Sequence, residues 1–528
     1  MRILLFTLLI IPSIISNAQG GIDVLHYQYE IGLNDSNDTI NGKALITFIF
    51  NEPGSSASFD LAGIKNERGM KVISASFVNR SSQVPVIGHV NDKLIIQSPG
   101  SYKKGDTAAV YISYKGIPSD GLIISKNKYG HRTFFADNWP NRGHNWLPCV
   151  DDPADKASVD FIVTTPQHYQ VVANGILVEE TNLSNDKKLT HWKEDVAIAT
   201  KVMVIGVADF AVSLAGTLDN CIPVYSWVYP EEKDKGFYDY AQAMEILPFF
   251  IKNVGPYGYK KLANVQSKTT FGGLENANTI FYHENSIDGT RKSETLLSHE
   301  IAHQWFGNMA TEKSFAHLWL SEGFATYMTV LYMENKHGAD TARKMLEDDR
   351  LQVIEFAKTS DRSIVDETKD PMELLNANSY QKGGWVLHML RRQLGDSIFW
   401  KSVRSYYAAY AGKNADTKDL QSIFEKISGK NLSAFFQQWL YTPGVPKLEV
   451  SWSYLPGEKK ISLTIKQLQK TPFSFPLDLQ LKNNTETKTL NITKQEETFV
   501  IAVKEKPVKL VLDPNTSLLF TSTIIEKK

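Results

Sequence analysis

Cysteine is nearly absent from this chain of 528 residues: Cys149 and Cys221 are the only two. Two thiols cannot staple so long a chain, so a disulfide scaffold is excluded and the fold must rest on apolar cores. Two buried free thiols are the expectation. Neither sign of charge is in excess, with 57 Lys+Arg against 58 Asp+Glu and a formal net charge of −1. That balance, with no Lys/Arg-rich run, excludes the basic footprint of a nucleic-acid partner. There is no internal repeat of fixed period and no low-complexity tract. Beyond the first residues, no apolar stretch is long enough to span a bilayer.

What is present is an ordinary globular mix, 42% hydrophobic and 22% charged. The length allows about three or four domains of roughly 150 residues. Met1-Arg2 gives a short positive start, Ile3 to Ile15 is almost wholly apolar, and Ser16-Asn17-Ala18 supplies small residues at a cleavage point. Residues 1–18 therefore read as a signal peptide with Gln19 as the mature start. The expected product is exported, to a periplasm or outside the cell, with no stable membrane insertion after cleavage. Asn-x-Ser/Thr sites occur at Asn34, Asn79 and Asn491, as a chain rich in these residues produces by chance.

Three textures follow. Residues 19–210 carry short alternating runs between Asn, Gly, Asp and Ser, such as Tyr27–Leu33, Ala44–Phe50, Lys93–Ile96 and Ala109–Tyr114. These predict an N-terminal β-sandwich or saddle-like sheet. Residues 211–442 form the second domain, whose period is helical from about Glu231, with helices expected at Tyr238–Val254, Glu294–Gly307, Leu318–His337 and Gly383–Leu394. The breaker Tyr441-Thr442-Pro443-Gly444-Val445-Pro446 ends that region. Residues 443–528 return to alternation, with strands at Leu448–Trp452, Lys460–Ile465, Leu477–Leu481, Phe499–Val503 and Val508–Leu512. The fold class is multidomain α+β, closing with a small C-terminal β-sandwich.

The chemistry lies in the helical part. His299-Glu300-Ile301-Ala302-His303 puts two imidazoles one turn apart on one helical face, where both can reach a single ion. Glu300 is placed to lean towards a water on that ion. By itself the pattern also fits a helix with two surface or core histidines. Eighteen residues, Gln304 to Ser321, separate His303 from Glu322. Glu322 sits on a second helix whose apolar stripe is Leu318, Phe324, Ala325 and Met328. A carboxylate there would be a costly unpaired charge unless it ligates a cation. Two histidines and one carboxylate, with a fourth position for water, form the ligand set of a catalytic zinc site, one Zn2+ per chain.

With that spacing the sequence resembles the gluzincin arrangement of the M1 zinc aminopeptidases. Three further segments match. Gly272-Gly273-Leu274-Glu275-Asn276 resembles the exopeptidase Gly-x-Met-Glu-Asn motif, with Leu274 in place of Met. Tyr380-Gln381-Lys382-Gly383 resembles the Tyr-x-Lys-Gly element that supplies a catalytic tyrosine. Pro148-Cys149-Val150-Asp151-Asp152-Pro153, followed by Lys156, resembles the Pro-Cys-x-Asp-x-Pro segment of the N-terminal β domain.

The resemblance implies a thermolysin-like catalytic domain that removes the N-terminal residue of peptides with a free amine. In that reading His299, His303 and Glu322 bind zinc, Glu300 is the general base and Tyr380 stabilises the oxyanion. Glu275 anchors the substrate's ammonium group beside the Gly272-Gly273 backbone. Asp137 falls where many members carry glutamine near the substrate amine and is a second candidate contact. Taken alone, Tyr380 reads rather as a helix-start aromatic, Gly272-Gly273 rather as a turn before a solvated Glu-Asn, and Asp137 at least as readily as a loop aspartate or turn cap. The family's large C-terminal helical domain is not expected after the small β module, so the expectation is a more open cleft or closure by some other means. The expected state is a monomer with peptide substrates. The alternatives are a zinc hydrolase of another amide, ester or epoxide, and an inactive peptide-binding relative.

Overall fold

A computed structural model describes residues 21–78, 87–219, 221–368, 370–481 and 487–527. The expected signal peptide, Gln19 and the Asn79 site lie outside the described residues.

Alternation builds the first region. Along Ile40–Phe50 the side chains of Ile40, Ala44, Ile46, Phe48 and Phe50 point inward and are buried, while Asn41 and Lys43 face solvent. This strand pairs antiparallel with Ile22–Gly32, setting Tyr27 opposite Ile46 and Tyr29 opposite Ala44. Ile22–Gly32 in turn pairs parallel with Lys156–Pro166. These strands lie within a 7-stranded sheet whose edges are Ile176–Leu183 and Gly69–Phe77. A 4-stranded and a 3-stranded sheet accompany it, and Tyr29, Phe48, Phe59, Trp146 and Phe161 lie in the shared core.

The middle region is not purely helical. A 5-stranded sheet takes in Ala211–Leu218, Ile222–Val228, Leu262–Ser267, Thr279–His283 and, at its edge, Gly273–Leu274. Leu262–Ser267 is buried at every residue, and such a fully buried strand has no alternation for a period-2 reading to detect. The helices are α1 (Lys233–Tyr240), α2 (Ala243–Asn253), α3 (Glu294–Ala302), α4 (Trp319–His337), α5 (Ala339–Phe356), α6 (Gly383–Leu394), α7 (Asp396–Tyr410), α8 (Thr417–Ser428) and α9 (Ser433–Tyr441). The single helix expected over Tyr238–Val254 is split. Between α1 and α2 the Gln242 amide bonds the Asp239 carbonyl in a tightened turn, while the apolar period runs on through it. The helix expected to reach Gly307 ends earlier, α3 closing at Ala302.

After α9 come two further sheets, 4-stranded around Lys447–Leu455 and Lys460–Gln467 and 3-stranded around Phe475–Leu481. No helix among the described residues is long and apolar enough to cross a membrane. Both cysteines are free. Cys149 is buried as expected, but Cys221 is exposed, because it falls in the turn between two strands at the sheet's outer side and not within the core.

Candidate metal centre and substrate cavity

Helices α3 and α4 pack together and bring His299, His303 and Glu322 to one point. The His299 and His303 Nε2 atoms lie 3.1 Å apart. Glu322 Oε2 is 3.3 Å from the first and 3.2 Å from the second. Donors held about 2.0–2.1 Å from a tetrahedral ion sit about 3.3 Å from one another, so this triangle fits such an ion. Nδ1 of His303 lies 3.0 Å from the Phe306 carbonyl and 3.0 Å from Ser321 Oγ, partners that leave Nε2 to face the centre. Burial opposes charge on His303, but Glu322 outweighs it and holds the imidazole up at about 10.

The centre opens into a cavity of about 270 Å3 that also receives Gly272, Gly273, Glu275, Glu300 and Tyr380. Glu300 is buried beneath the edge strand Gly273–Leu274. A Cβ on Gly273 would overlap the Glu300 carboxylate, so only glycine lets the strand come this close. Burial pushes the Glu300 carboxyl well above its usual range, opposed by His303 and reinforced by Glu275 and Glu322. The edge strand is fixed from one side. Gly273 and Leu274 pair with Tyr282 and Phe281, and the His283 amide donates to the Gly272 carbonyl at 3.0 Å. Its other side has no strand partner among the described residues, as an edge strand that accepts an extended peptide requires.

Glu275 is 6% exposed, and its Oε1 has no hydrogen-bond partner among the described residues. Its backbone, by contrast, is held firmly: the carbonyl accepts from Gln304 Nε2 at 3.0 Å and Asn308 Nδ2 at 2.6 Å. Tyr380 lies in a π-helical turn, Asn378–Lys382, that leads into α6. Its ring stacks parallel to His299 with centroids 6.0 Å apart. Burial, then the carboxylates of Glu322, Glu275 and Glu300, push its phenol well above the ordinary value, which keeps it a proton donor.

The structure thus brings together eight of the nine residues singled out in the sequence and sets one aside. Asp137 does not line the cavity. It is fully buried, ion-paired with Arg142 and hydrogen-bonded by Thr269 Oγ1 at 3.2 Å. Its charge is answered by Arg142, away from the cavity lining. Sequence reasoning missed the apolar wall, formed by Trp139, Phe271, Leu274, Leu296 and Leu375. It also missed Gln304 and Asn308 as supports of Glu275. Gln304 directly follows His303, but no spacing rule connects it to residue 275.

Two imidazoles and a carboxylate on packed helices, beside a sheet edge, form a set that can hold a metal ion with one side left open to the cavity. Comparison with known proteins gives the family. Residues 238–439 match the peptidase family M1 domain, and residues 24–202 match the peptidase M1 N-terminal domain. The chain belongs to the M1 peptidase family. It is 25% identical over 481 residues to a probable aminopeptidase 2 of Sulfurisphaera tokodaii, covering 84% of this chain and 58% of that protein. It is 28% identical over 321 residues to the aminopeptidase M1-C of Oryza sativa subsp. japonica, covering 58% and 36%. With the leucyl aminopeptidase of Saccharolobus solfataricus it shares 24% over 452 residues, covering 78% and 54%. The chain therefore spans roughly a third to somewhat over half the length of these curated relatives.

Proposed function

We propose that this chain is an exported zinc aminopeptidase that releases the N-terminal residue of peptides. The observation that carries the reading is Glu275. A buried carboxylate oxygen without a partner, in the same cavity as a cation centre and next to an edge strand, is what a substrate ammonium group would satisfy. The donor set and its spacing fit zinc, held by His299, His303 and Glu322. The relatives' names, all aminopeptidases, support the same activity. Export rests on the apolar segment at residues 3–15.

When bound, zinc supplies Lewis acidity that polarises a carbonyl and acidifies water. Glu275 holds the substrate's ammonium group, and the Gly272-Gly273 backbone holds its first peptide unit extended. Glu300 takes a proton from the attacking water and returns it to the leaving amine as the C–N bond breaks. Tyr380 donates its hydroxyl hydrogen to the oxyanion as it develops.

The test is hydrolysis of aminoacyl fluorogenic amides beside their N-acetylated twins. Cleavage of the free-amine series alone, lost with a chelator and restored by zinc, is the expected result. Equal cleavage of the acetylated twins would remove Glu275 from its anchoring role and with it the exopeptidase reading.

A further inference from the structure

The apolar wall of the cavity is assembled from two regions of the chain. Trp139 comes from the N-terminal β region, and Phe271 comes from the segment that precedes the edge strand. Their rings meet edge-on, with centroids 6.1 Å apart. The Trp139 indole does not anchor itself, since its buried Nε1 finds no partner among the described residues.

One residue touches both sides of this seam. Arg142 donates from Nε to the Trp139 carbonyl at 2.7 Å, and its guanidinium lies over the Phe271 ring, 5.8 Å from the centroid. Its Nη2 pairs with Asp137, whose other oxygen accepts from Thr269 Oγ1 at 3.2 Å. That hydroxyl oxygen in turn accepts from the Phe271 amide at 3.3 Å. Asp137 is 0% exposed, and a carboxylate buried so completely is costly to keep unless it is paired. The planar fork of arginine meets carbonyl, carboxylate and ring face at once, which a lysine ammonium cannot do.

We infer that the Arg142–Asp137 pair positions the Trp139–Phe271 wall against which the substrate's first side chain packs, and so sets which N-terminal residues this chain accepts. The inference rests on the aminopeptidase reading. Among the charged residues lining the cavity, Glu275, Glu300 and Glu322 are acidic, the rest are the two histidines, and neither lysine nor arginine is present. Arg142 is engaged by Asp137 and lies 3.4 Å from Asp120, so it does not serve as an anion anchor. Large apolar first side chains are therefore favoured and acidic ones disfavoured.

The experiment compares kcat and KM of the zinc-loaded full chain on phenylalanyl, leucyl, alanyl and glutamyl fluorogenic amides. It is repeated with Arg142→Lys and Phe271→Leu, with Tm recorded for each. The parent chain is expected to prefer the phenylalanyl and leucyl amides and to take the glutamyl amide worst. In Arg142→Lys the phenylalanyl-to-alanyl ratio of kcat/KM should fall roughly tenfold, the change lying in KM. Phe271→Leu should lower the same ratio without depending on the ion pair. A ratio within twofold of the parent's in Arg142→Lys, or an equal loss on every substrate with kcat falling in step, overturns the positioning role, and an unchanged ratio in Phe271→Leu removes the wall from substrate selection. A parent chain that prefers the glutamyl amide overturns the specificity. If the parent cleaves no aminoacyl amide with zinc bound, the aminopeptidase reading fails and the inference falls with it.

Discussion

Gly273 lies so close to the Glu300 side chain that no added bulk fits between them. Glu300→Gln keeps the shape and removes the base, so kcat should fall by about 10²–10⁴ while zinc content, read by atomic absorption, stays at one per chain. Turnover surviving in that variant would show that another group takes the water's proton. At Gly273 a methyl group would overlap the Glu300 carboxylate. Lys382, fully buried two residues after Tyr380, gives a second residue-scale prediction. Its Nζ reaches the Thr442 carbonyl at 3.3 Å, and burial pulls it from 10.5 down to about 7. The folded chain thus releases this proton near pH 7, while the unfolded chain keeps it to about pH 10.5. The unfolded state binds more protons in that window, so this group makes stability rise with pH, by at most about 1.4 kcal/mol per unit. Urea unfolding at pH 7 and pH 9 should show that rise in the parent and a smaller one in Lys382→Met.

Between elements, the closest approach that shapes the site is backbone against backbone. Gly323 on α4 meets Gly383 at the start of α6: a Cβ on Gly323 would lie 2.9 Å from the Gly383 carbonyl carbon, and one on Gly383 3.0 Å from the Gly323 Cα. Gly323 follows the candidate metal ligand Glu322, and Gly383 follows the turn that carries Tyr380. This contact therefore fixes how far the phenol stands from the centre. Gly323→Ala should cost roughly 1–3 kcal/mol of stability through overpacking. It should also lower kcat more than it lowers metal affinity, because α3 and α4 still meet while the tyrosine turn is pushed out. Denaturant unfolding and a zinc competition titration separate the two effects. Had kcat held steady, the glycine pair would be packing alone.

At the scale of the whole molecule, the N-terminal β region is tied to the catalytic region by buried charge. Lys201 pairs with Glu312, with side chains 1% and 0% exposed. Lys156, from the segment after the Pro-Cys-x-Asp-x-Pro match, donates to the carbonyls of Asn308 at 3.1 Å and Met309 at 2.8 Å. Asn308 is the residue whose side chain holds the Glu275 backbone, so the seam between regions reaches the proposed substrate anchor. Lys201→Met should destabilise the chain by about 3–5 kcal/mol, because Glu312 is left buried without its partner. Adding Glu312→Leu should recover most of that loss in the same thermal unfolding experiment. No recovery would mean that the pair has a role beyond neutralising its own charges.

The sequence by itself brought out the candidate ligands His299, His303 and Glu322, the candidate base Glu300, Tyr380, the Gly272–Asn276 segment and the order of β, helical and β regions. Each depends on a local regularity: four residues per shared helical face, alternation along a half-buried strand, a fixed motif. Tertiary structure decided what depends on distance across the fold. The strand Leu262–Ser267 is buried on both faces and has no alternation to read. Cys221 is exposed because of its turn, not its chemistry. Asp137 looks like a substrate contact by position, yet Arg142, five residues on, claims its charge. The cavity wall joins residues from positions 139 to 375, a set that only packing brings together.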